Sequence, residues 1–115
     1  MAAIKSYSDL QQSKKLAEIL PLETADMYYD GFGRLPQGYA YTLISPNSFE
    51  YDKPCWSLAA LLKILNFPSL TQNKENEWEV CVFDHDNDDY IEKTASNPVD
   101  ACVAMIEKLN KLNML

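Results

Sequence analysis

With 115 residues, 47% of them hydrophobic and 23% charged, the chain has the size and composition of one globular domain, which excludes a disordered or fibrous protein. The net charge of −7 is uneven: residues 71–93 carry eight acids against Lys74 and Lys93, residues 1–70 seven acids against six basic residues, and residues 94–115 balance. An acidic surface of this kind repels a phosphate backbone, so direct nucleic-acid binding is not expected.

The longest purely apolar run, Leu58 to Leu62, is far too short to cross a bilayer, and MAAIKSYSDL lacks the apolar core of a secretory signal. A soluble, cytoplasmic protein without membrane contact is the expectation. Cys55, Cys81 and Cys102 are odd in number and widely spaced, with no CxxC, which points to free thiols rather than a disulfide framework or a zinc site.

From Ser8 onward, Leu10, Leu16, Ala17, Ile19 and Leu20 recur at helical spacing, with Gln11, Gln12, Lys14, Lys15 and Glu18 on the wet side. Ser8 is the expected N-cap and Asp9 suits the positive end of the dipole, while Pro21 ends the helix. Met27-Tyr28-Tyr29 begins a short strand. Turn chemistry follows in Gly31 to Gly38, and Gly38 to Ile44 reads as a strand. Residues 45–55 read as a loop. Ser57 caps an apolar helix running to Asn66, which Phe67-Pro68 stops; residues 71–77 read as a polar connection. Trp78–Phe83 and Tyr90–Thr94 are two strands of a hairpin joined by Asp84–Asp89. Asn97-Pro98 opens the last helix, with Asn at N-cap and Pro at the first helical position, and Val99, Cys102, Val103, Ile106 and Leu109 mark its buried face.

The order α-β-α-β-β-α predicts an α+β fold over residues 1–115, with three helices packed on a small antiparallel sheet. The expected core is Leu16, Leu20, Leu58, Leu61, Leu62, Val80, Val82, Val103 and Ile106.

Several stretches taken together resemble a known family. These are Gln12-Ser13-Lys14-Lys15-Leu16, Thr24-Ala25-Asp26-Met27, Pro54-Cys55-Trp56-Ser57-Leu58 with Leu61-Leu62, and Asn97-Pro98-Val99-Asp100-Ala101. In this order they are similar to a family of small uncharacterised bacterial proteins found in prophage-like or mobile-element neighbourhoods. The resemblance spans most of the chain but omits Asp84–Asp89. It implies a cytoplasmic accessory protein of phage or mobile-element type, and it transfers no catalytic residue.

The stretch FDHDNDDY places four aspartates, an asparagine and the only histidine within residues 84–89. Asp84, Asp86 and Asp88 match positions 1, 3 and 5 of a calcium loop, but Asp89 stands where that loop needs Gly, and Ala95 where it needs Glu. A polar hairpin turn is the preferred reading, and no resident metal is expected. Cys55, just ahead of a helix start, is a candidate nucleophile with His85 as its base; the competing reading is a thiol buried beside Trp56. Gly31-Phe32-Gly33-Arg34 lacks the lysine and the helix of a phosphate loop, and no cofactor is expected. Tyr28, Tyr29, Phe32, Tyr39 and Tyr41 either cover a sheet face or form an interaction surface.

These features favour a non-enzymatic interaction protein with an unknown protein partner, using residues 28–41 and able to self-associate as a homodimer. The alternatives are an acidic mimic of nucleic acid, presenting residues 75–92 to a basic nucleic-acid-handling enzyme, and a thiol enzyme built on Cys55 and His85. The acids of the hairpin are expected to divide into a strand-face group and a turn-tip group.

Overall fold

The computed structural model describes residues 5–29, 37–38 and 53–115. The fold is α+β, with three α-helices and two small antiparallel sheets among the described residues. The six strands thus divide between two sheets, where the sequence suggested one.

Helix α1 spans Leu10–Ile19. Its cap is Asp9 rather than Ser8. The Asp9 carboxylate accepts from the Gln12 amide at 2.8 Å while the Gln12 side chain accepts from the Asp9 amide at 3.0 Å, a reciprocal capping box. Ser8 is instead fully buried. Its amide donates to the Trp56 carbonyl at 2.8 Å, and its Oγ accepts from the Trp56 amide at 3.1 Å and lies 2.7 Å from the Ser13 hydroxyl. A hydroxyl so engaged inside the core is unavailable to the helix end, which is why the next residue takes the role.

The first sheet has the order β2-β1-β3, from Gln37–Gly38, Met27–Tyr29 and Lys53–Cys55. Strand β3 falls in the segment read as a loop. Pro54 hides it from the sequence pattern, yet β3 is an edge strand among the described residues, where a missing N–H is tolerated. Beyond Gly38, the predicted strand to Ile44 lies outside the described residues.

Helix α2, Leu58–Ile64, starts at Ser57 as expected, and the Ser57 Oγ accepts from the Ala60 amide at 3.1 Å. Asp26 fixes this cap, accepting from the Ser57 amide at 2.9 Å and from the Ser57 hydroxyl. The helix ends in a paired closure: the Phe67 amide reaches back to the Leu62 carbonyl at 2.7 Å and the Asn66 amide to Lys63 at 3.0 Å. Asn66 and Phe67 are left-handed, with φ of 60° and 53°. Asn accepts that geometry readily; a bulky Phe does so rarely.

The second sheet has the order β4-β5-β6, from Ser69–Gln72, Trp78–Asp84 and Asp89–Ala95. Register pairs Leu70 with Val80, Val82 with Ile91 and Trp78 with Ala95, so these six share the face that packs on the core. The opposite face carries Glu79, Cys81, Phe83, Tyr90, Glu92 and Thr94. Strand β4 occupies part of the predicted polar connection.

Helix α3, Pro98–Lys111, is the centre of the core, with Val99, Cys102, Met105 and Ile106 fully buried. Its cap Asn97 accepts from the Asp100 amide at 2.8 Å. Asp100 also ties α3 to α1, accepting from Lys5 Nζ at 2.8 Å and Gln12 Nε2 at 2.7 Å. The helix closes as α2 does: Met114 donates to the Leu109 carbonyl at 2.9 Å, Asn113 to Asn110 at 3.1 Å, and Asn113 is left-handed.

Of the expected core, Leu16, Leu20, Leu61, Val80, Val103 and Ile106 are buried, while Leu58, Leu62 and Val82 pack on it partly exposed. Trp56, with no exposure, is the largest core side chain that periodicity did not supply.

Candidate docking groove at the helix ends

The three helices end at one place. Leu20-Pro21 after α1, Leu65-Asn66 after α2 and Asn113-Met114-Leu115 after α3 surround a groove of about 780 Å³. Its fourth wall is the end of the β5–β6 hairpin, through Val82, Phe83, Asp84, His85 and Asp86. The inside is largely aliphatic and the hairpin side of the rim is acidic.

Within the turn, Asp84 is largely buried, the residue being 6% exposed. Its carboxylate accepts from the Asp86 and Asn87 amides at 3.0 and 3.4 Å and from the Asn87 side-chain amide at 2.7 Å. These bonds, the one from the Asn87 side chain foremost, hold its pKa below the usual carboxylate value. The turn is therefore organised by an aspartate bonding its own backbone, with Asp88 left-handed at φ 52°. Asp86, Asp88 and Asp89 are exposed. Asp89 accepts from the Tyr90 amide at 2.8 Å, whereas the Asp86 carboxylate has no partner among the described residues.

Of the calcium-loop positions, then, Asp84 faces inward and is spent on the turn, while Asp86 and Asp88 face water. Among the described residues no three His, Cys, Asp or Glu side chains are grouped to hold a metal ion.

Cys55 and His85 occupy different neighbourhoods. Cys55 has no exposure, and its Sγ donates to the Ser8 carbonyl at 3.3 Å beside Tyr29 and Ser13. Burial raises its pKa against the opposing hydrogen bonds from Ser8, Tyr29 and Ser13, so the thiol form is favoured. His85 is exposed on the turn, its ring edge-on to Phe83 with centroids 4.7 Å apart.

The aromatic group divides as well. Tyr29 is buried and its hydroxyl donates to the Ser8 carbonyl at 2.7 Å, which makes it a latch rather than a contact surface. Tyr28 is half-buried, and Phe32, Tyr39 and Tyr41 lie outside the described residues.

The acids separate as expected, with two amendments, at Asp84 and at Glu77. Glu79 and Glu92 flank Cys81 on the outer sheet face, and Asp86, Asp88 and Asp89 stand at the tip; Asp84 belongs to neither group. Glu77 precedes β5 and its amide is tied to Asn73 Oδ1 at 3.0 Å.

The groove itself was not found by reading the sequence. Two signals for its walls were present: Leu65-Asn66-Phe67 and Leu112-Asn113-Met114 share the pattern of a left-handed Asn followed by an apolar residue. No known protein family, curated protein or solved structure matches this chain.

Proposed function

We propose that this chain is a non-enzymatic interaction protein that seats a partner protein in the groove at the helix ends. One observation carries the reading. The exposed large hydrophobic residues described are Leu22, Phe67, Tyr90, Leu112 and Leu115. Leu115 lines the groove; Leu22, Phe67 and Leu112 are covalently next to the lining residues Pro21, Asn66 and Asn113. Tyr90 meets Phe83 edge-on, with ring centroids 5.0 Å apart, on the outer sheet face and apart from the groove. Apolar surface concentrated at one concavity is a usual mark of a contact surface, and here Leu20, Ile64, Leu65, Val82, Leu109 and Leu115 line it. Phe67 adds to this, since it is 71% exposed in a backbone geometry that disfavours it.

The docking surface in this reading lies at residues 20–22, 65–67, 82–86 and 109–115 instead of 28–41. The free thiols Cys55, Cys81 and Cys102 suit a reducing, cytoplasmic setting. The acidic-mimic reading loses support because its acids point along two separate surfaces. The thiol-enzyme reading loses support because Cys55 is buried and favours its thiol form.

The test compares the wild-type chain with Phe67→Glu and Leu115→Glu, both at exposed positions. A partner captured from a bacterial lysate is identified and the complex rebuilt from purified components. Weakening of the rebuilt complex by at least about tenfold in either variant is expected. A partner whose affinity is untouched by both variants, but falls on replacing Glu79 and Glu92, overturns the reading in favour of the acidic sheet face.

A further inference from the structure

We propose that the groove is built for a basic amphipathic segment of the partner, whose apolar side chains enter between the helix ends and whose Lys or Arg side chains pair with the rim. The proposal rests on the groove being the docking site, and it adds the chemistry of the occupant.

The argument is charge complementarity around an apolar hole. Helix α1 presents its C-terminal end here, where backbone carbonyls leave partial negative charge, while the ends of α2 and α3 are closed by their own backbone bonds. Helix α1 has no basic residue in its last turn to offset its end. Lys63, Lys108 and Lys111 do lie in the last turns of α2 and α3, but none of them lines the groove. The hairpin wall adds Asp86, whose carboxylate is exposed and unpartnered among the described residues, with Asp88 and Asp89 beside it on the same tip.

An uncharged apolar ligand would leave that negative rim without a counter-charge, and an acidic one would be repelled by it. A purely cationic, apolar-free chain would leave the aliphatic interior wet. Only a ligand with both characters satisfies both parts of the site. The side-chain amides of Asn66 and Asn113, without a partner among the described residues, lie at the rim between the helix ends and give backbone groups of such a segment hydrogen-bonding partners.

The experiment uses three synthetic probes against the full chain: an amphipathic leucine/lysine peptide, its leucine/glutamate counterpart, and polylysine. Binding is followed by fluorescence anisotropy of labelled peptide. The leucine/lysine peptide is expected to bind at least about tenfold more tightly than either other probe, and to weaken as salt rises. Asp86→Lys should weaken it by about fivefold, the upper range for an exposed charge pair. Glu92→Lys, the same charge change on the outer sheet face, should leave it nearly unchanged.

Equal binding of the leucine/glutamate peptide overturns the charge argument. Equal binding of polylysine, or equal effects of Asp86→Lys and Glu92→Lys, reduces the interaction to net charge and overturns the site. If no probe binds while a rebuilt partner complex still depends on Phe67 or Leu115, the occupant is wrong and the groove reading stands.

Discussion

Replacing Ser8 separates two roles that the sequence alone cannot distinguish. As an N-cap, Ser8 would be exchangeable with Asp at little consequence, since both accept from the first-turn amides. In the structure its side chain has no exposure and serves the Trp56 amide at 3.1 Å and the Ser13 hydroxyl at 2.7 Å. Ser8→Ala orphans a buried backbone N–H, worth about 1–3 kcal/mol, and strips a partner from a buried hydroxyl, worth about 1 kcal/mol more. The expected loss is therefore about 2–4 kcal/mol, a large part of a stability that for such domains is about 5–15 kcal/mol. Ser8→Asp should be worse, because it forces a carboxylate into a site without a cation. The doubly substituted Ser8→Ala/Ser13→Ala chain should lose less than the sum of its parts, since the second change removes the orphaned hydroxyl. Chemical denaturation with the slope held constant measures these three variants and Ser13→Ala. A neutral Ser8→Asp together with a Ser8→Ala loss under about 1 kcal/mol would refute the buried latch and restore the cap.

Micromolar calcium or zinc should leave the unfolding temperature unchanged, because Asp84 is already bonded within the turn; a saturable rise that disappears in Asp86→Asn/Asp88→Asn would contradict this. In the native protein a thiol reagent should modify Cys81, half-buried on the outer sheet face, and only slowly, since burial, Glu92 and Glu79 all raise its pKa. Cys55 and Cys102 should react only on unfolding, Cys102 being pushed by burial to about 11, and prompt native labelling of Cys55 would revive it as a nucleophile. Burial opposes the charged forms of Lys5 and Asp100, but their hydrogen bonds prevail, so Asp100 sits below its ordinary value of 3.8 and Lys5 above 10.5. Asp100 thus contributes stability above pH 3.8 that fades as pH falls through its folded value, and Lys5 contributes below pH 10.5 and fades as pH rises through its own. Lys5→Met should flatten both limbs by about 1 kcal/mol or less, and unchanged limbs would deny the link.

What was legible in the sequence follows from how local each cause is. Asn97-Pro98 specifies the start of α3 within two residues, and the hairpin β5–β6 is written in alternation and a polar turn. Strand β4 was missed because Ser69-Leu70-Thr71-Gln72 buries little beyond Leu70; it is a strand because β5 offers it a ladder. Strand β3 was missed because Pro54 argues against a strand until the residue is known to stand at an edge among the described residues. The exchange of Ser8 for Asp9 at the α1 cap had a sequence signal, Asp9 with Gln12 three residues on, and a cause beyond the sequence, the pairing of residues 6–8 with residues 56–58.

The groove belongs to a different order of inference, because no single segment contains it. Its walls are Leu20, Leu65 and Leu109 with the residues that follow them, and the hairpin end near residue 84, so it exists only once α1, α2 and α3 stop at the same level. Each stop is individually local: Pro21 after α1, and a left-handed Asn with its paired backbone closure after α2 and α3. The closures satisfy the carbonyls of Leu62, Lys63, Leu109 and Asn110, which lets two helices end beside apolar surface without leaving those groups unpaired. That arrangement keeps the interior aliphatic while the negative charge stays on the rim, with Asp84 turned inward to shape the hairpin and Asp86 left exposed. The acidic stretch thereby splits its work between two residues that the sequence presents as equivalent. A turn mutated at Asp84 should lose its shape, and one mutated at Asp86 should keep its shape and change what it attracts.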